Sequence, residues 1–75
     1  MKSVETLIHF DELLDGNARE EIENEFQGMR DVVSSEFHKT KRHILMLSYN
    51  TEKISALDLL KKVTERGYRA QLVGL

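Results

Sequence analysis

Three histidines and no cysteine bound the metal chemistry open to this 75-residue chain. Soft ions such as Cu(I) are held by thiolates, which are absent; so are disulfides, zinc-thiolate sites and thiol nucleophiles. A tetrahedral ion needs three or four converging ligands. His9 and His38 fall on one face of the sheet derived below, on strands separated by a third, while His43 carries the opposite parity. Asp15 adds one hard oxygen in the adjoining loop. The metal candidates are thus His9, Asp15 and His38, with Asp11 and Glu12 close by in sequence. Together they do not define a site, and surface histidines are the simpler reading.

Catalytic constellations are weaker still. Glu20, Glu21, Glu23 and Glu25 are solvated helix carboxylates without an apolar pocket to raise a pKa. Ser34, Ser35 and Ser48 have no nucleophile-elbow pattern around them, and Asp15-Gly16 is a turn rather than a phosphate-cradling glycine loop. The expectation is a non-enzyme with no cofactor.

The elements that must position these residues read in order. Val4 to Phe10 is β-rich, with Val4, Ile8 and Phe10 on one parity and Leu7 and His9 on the other. Asp15-Gly16-Asn17 marks a turn, and Asp15 or Asn17 can cap the helix that follows. In that helix Ala18, Ile22, Phe26 and Met29 form one apolar stripe, and glutamates in the first turn favour the dipole. Val33, Ser35 and Phe37 alternate with Ser34, Glu36 and His38 on a second strand. Residues 38–42 form a polar hairpin tip, and Ile44 to Tyr49 is a third strand with Leu45, Leu47 and Tyr49 on one face. Ser55 and Asp58 have capping-box spacing. The second helix turns Ala56, Leu59, Leu60 and Val63 inward, and Gly67 stops it as a C′ residue. Tyr68 to Val73 is the last strand. The order β-α-β-β-α-β predicts an α+β, ferredoxin-like domain spanning residues 1–75: a four-stranded antiparallel sheet with both helices on one face.

Charge is distributed unevenly. Residues 1–31 carry nine acidic and three basic side chains, a net of −6, whereas residues 32–75 carry eight basic and four acidic ones, a net of +4. Such a dipole can steer a charged partner, but it is not the continuous basic surface that nucleic acid requires. The longest uncharged apolar run, Ile44 to Leu47, is far short of the ~20 residues of a membrane span. Met1-Lys2-Ser3-Val4-Glu5 has no apolar h-region, so export is not expected. A cytoplasmic domain with no nucleic-acid and no membrane partner is expected.

Several runs carry a family resemblance: Ile22-Glu23-Asn24-Glu25-Phe26, Val32, Leu45-Met46-Leu47-Ser48-Tyr49-Asn50, Ile54-Ser55, and Val63-Thr64-Glu65-Arg66-Gly67-Tyr68-Arg69-Ala70. In order and spacing they resemble the heavy-metal-associated (HMA) domain, the fold of copper chaperones and of N-terminal modules of metal-transporting ATPases. The resemblance implies a Gly-Met-x-Cys-x-x-Cys loop between strand one and helix one. Counted back from Ile22, the thiolate positions fall on Asp15 and Ala18, the glycine on Glu12 and the buried methionine on Leu13. The metal loop is therefore degenerate, and Arg30-Asp31 stands where the family has Pro-Gly. Tyr68 is kept, as a packing residue.

On the face opposite the helices lie Leu7, Ile44, Met46 and Val73. Four large apolar side chains on an uncovered face suggest a contact surface, for a second copy of the chain or for a larger protein. The expected function is protein contact through this face. The alternative is metal handling with His, Asp and Glu ligands in place of thiolates.

Overall fold

Period-two patterning places Ile8 and Phe10 of the first strand, and Leu45, Leu47 and Tyr49 of the third, on a common face, and against that face the helices pack. The computed structural model describes residues 2–73, in the order β1 (Ser3–Phe10), α1 (Gly16–Gln27), β2 (Val32–Phe37), β3 (Ile44–Asn50), α2 (Ala56–Thr64) and β4 (Ala70–Val73). The sheet is antiparallel throughout, with strand order β2-β3-β1-β4. This is the expected ferredoxin-like α+β fold. Among the described residues, no helix is long and apolar enough to cross a membrane.

One core joins sheet and helices. Ile8, Phe26, Leu45, Leu47 and Leu59 are fully buried, and Ile22 and Val63 nearly so. Phe10 lies at the centre of an aromatic group, its ring 5.7 Å from Phe37 and edge-on to Tyr68 at 6.0 Å. Tyr68 precedes β4 and packs on the core from the connecting segment.

The helix ends are chemically specified. Asp15 caps α1, its carboxylate accepting from the Ala18 N–H at 2.8 Å. Ser55 and Asp58 form the complete capping box of α2. The Ser55 backbone N–H and then the Ser55 hydroxyl, both donating to the Asp58 carboxylate, hold its pKa below the ordinary value. Beyond α2, the Tyr68 N–H bonds to the Val63 carbonyl at 3.3 Å and the Gly67 N–H to Thr64 at 3.0 Å. This Schellman closure needs a left-handed residue, and Gly67 supplies it with φ 95°. Arg66 ties the end of α2 to α1, meeting Glu25 at 2.7 Å and Glu21 at 3.5 Å.

Four details depart from the sequence reading. A bulge between Val32 and Ser34 sends Val32, rather than Val33, into the core, and Val33 is 56% exposed. On α2 the stripe runs through Ala56, Leu59 and Val63, so Leu60 sits on its flank and is only partly buried. In the first turn of α1 there is no acidic side chain; the glutamates begin one turn later. Val4 keeps the inward parity but is exposed, at the end of β1 that overhangs the core.

Candidate functional site

The β1–α1 loop, where the HMA pattern places its metal, is built around a buried leucine. Leu14 is 6% exposed and joins the core, whereas Leu13 is 72% exposed, so Leu14 and not Leu13 fills the place of the buried methionine. Counted from Leu14, the two thiolate positions move to Gly16 and Arg19. Neither register supplies a soft ligand. Arg19 instead donates from its guanidinium to the Leu14 carbonyl, putting a fixed cation across the loop.

The structure disperses the metal candidates. Asp15 is committed to the α1 cap. His38 lies just past β2, where its Nδ1 accepts from the Thr40 and Lys41 backbone N–H groups at 3.2 and 2.9 Å and shapes the hairpin tip. His9 does not meet His38. It meets His43, which the strand parity had pointed the other way. His43 sits in the turn before β3, so that parity does not govern it, and the two rings pack edge to face with centroids 4.7 Å apart. The His43 carbonyl accepts from the Phe10 N–H at 2.8 Å, and the His9 Nδ1 is buried without a hydrogen-bond partner. Among the described residues, no group of three or more His, Asp or Glu side chains is placed to hold an ion. The hollow beside the hairpin tip mixes Arg19, Lys39 and Arg42 with Glu20 and Glu23, and so presents no single sign of charge.

The open face is ordered in rows. Register places Met46 opposite Leu7 and Leu7 opposite Val73, so these three apolar side chains form one row across β3, β1 and β4. Glu36, opposite Met46, ends the row on β2. One row away, Ile44 stands opposite His9, which stands opposite Gln71. On the other side Ser34, Ser48 and Glu5 make a polar row. Leu7, Ile44 and Met46 are each half-covered by neighbours, and Val73 is 36% exposed. The sequence reading had turned Val33 inward, because a bulge leaves no mark in alternating residues of mixed polarity.

No family model and no curated protein matches the chain. Solved structures do match it over nearly the whole length. MerP from Ralstonia metallidurans CH34, in its oxidized form, superposes with a TM-score of 0.81 at 11% identity, over 97% of this chain and 100% of that one. The N-terminal domain of a potential copper-translocating P-type ATPase from Bacillus subtilis, in the Cu(I)-loaded state, gives 0.82 at 18% identity, over 97% and 90%. The CopZ metallochaperone gives 0.77 at 12% identity, over 91% and 100%. The fold is that of heavy-metal-associated domains, at low identity and without a cysteine in the chain.

Proposed function

We propose that this HMA fold works as a protein-contact module, its helix-free sheet face packing against a protein surface. The observation that carries the reading is the row Met46–Leu7–Val73, with Ile44 beside it, on a face where a solvated sheet places polar residues. Covering the area these partly buried side chains still expose contributes a fraction of the roughly 1.5–3 kcal/mol that burial of a whole large side chain gives, before the costs of association. The polar residues around the row, Glu36, Ser48, Glu5 and Gln71, give it the rim of a contact surface. In its testable form the partner is a second copy packed face to face. Sedimentation equilibrium of the Met46→Glu variant should then give half the associated mass of the wild type, with unchanged circular dichroism. Equal masses at every concentration would overturn face-to-face packing.

A further inference from the structure

The two edges of the sheet are finished differently. Along β2, α1 takes up two of the outward backbone groups: the Phe37 N–H donates to the Glu23 carboxylate at 2.7 Å, and the Ser35 carbonyl accepts from the Gln27 amide at 3.1 Å. The bulge at Val33 also breaks the regularity of that edge. Covering groups and a bulge are how an edge is closed to a further strand. Along β4, the run Ala70–Val73 has no charge, no proline and no bulge.

The register shows which groups of β4 face outward. The Asp11 N–H donates to the Arg69 carbonyl at 2.9 Å, which makes Phe10–Ala70 and Ile8–Leu72 the non-hydrogen-bonded pairs of the β1–β4 ladder. Ala70 and Leu72 therefore turn their N–H and C=O groups away from β1. Among the described residues nothing bonds to them.

We propose that β4 pairs antiparallel with β4 of a second copy of this chain, Ala70 of each opposite Leu72 of the other. This register uses all the outward groups, in four N–H···O bonds, and it is self-complementary. The two-fold axis passes at Gln71, whose exposed side chain meets its own copy with Cβ atoms about 4.5–5.5 Å apart. An uncharged carboxamide both donates and accepts, so Gln71 suits a position opposite itself, where a lysine or glutamate would repel. Arg69 stands opposite Val73 rather than opposite another cation. The product is one eight-stranded sheet whose two outer edges are both β2, so strand addition closes at two.

This contact stands apart from face-to-face packing, and the experiment separates them. In a Met46→Glu background the protein should still sediment as a dimer. Added Gln71→Lys or Gln71→Glu should each raise the dimer dissociation constant, by up to about five-fold for like charges directly opposite. An equimolar mixture of the two should recover association as a heterodimer in native mass spectrometry. Ala70→Pro, which removes an outward N–H that the monomer does not use, should abolish the dimer. A monomer in the Met46→Glu background, or a mixture no tighter than its components, would overturn edge pairing. Equal masses for wild type and Met46→Glu would overturn face packing alone.

Discussion

Arg19 sets the chemistry of the β1–α1 loop. Its guanidinium bonds to the Leu14 carbonyl, one turn from the α1 cap, in the part of the fold where the HMA pattern gathers thiolates around a cation. A cation held there opposes a second one, and Asp15, the nearest carboxylate of the carried-over register, is occupied by the Ala18 N–H. In competition against a Cu(I) chelator, copper should pass to the chelator, and optical readout of the chelator complex checks this. Retention of one copper per chain at sub-nanomolar affinity would contradict the loop chemistry. The histidines give a parallel lesson. His38 spends Nδ1 on its own hairpin, and the His9 ring packs in a T-shape with His43, so residue types that suggest ligands are used as packing and turn groups.

At the scale of elements, caps and edges determine where each helix and strand stops. The capping box of α2 is also a titratable device. Asp58 has its folded-state pKa depressed below the ordinary 3.8 by hydrogen bonds from Ser55, so it contributes stability that is fully present above that value. The contribution is lost as pH falls through the lower, folded-state pKa. Asp58→Asn should therefore be less stable than the wild type near neutral pH, and the gap should close in acid. Thermal melts of the two proteins over a pH series would show it. A gap that widened below the ordinary carboxylate range would reverse the sign assigned here.

For the whole molecule, stability rests on the single core between sheet and helices. Leu59 is fully buried at its centre and Leu60 lies at its margin. Leu59→Ala should cost about 2–5 kcal/mol and Leu60→Ala distinctly less. In a domain of this size each kcal/mol lowers Tm by about 4–8 °C, so calorimetry separates the two variants. Equal Tm values would place the helix face wrongly. Element order, sheet parity and the open face were legible because Ile8, Phe10, Leu45, Leu47, Ile22 and Phe26 follow clean periods of 2 and 3.6. What was not legible lay where period fails. Leu13 and Leu14 are adjacent apolar residues in a loop, and no repeat says which turns in. Val32 and Val33 are identical side chains, and only the ladder geometry chooses between them. Leu59 and Leu60 are neighbours on a helix, where 100° decides centre from flank. His43 sits one residue outside the strand whose parity was extended to it.

The extra residue in β2 changes what the chain can tolerate by insertion and deletion. Val32 pairs with Tyr49 and Ser34 with Ser48, so removing Val33 alone would leave a continuous regular ladder with Ser34, Ser35 and Phe37 still in their present register. A one-residue deletion from the regular part of β3 has no such reserve. It would transfer every following side chain of that strand to the opposite face. Length variation among descendants of this sequence should thus accumulate at the bulge, which serves the edge strand as slack.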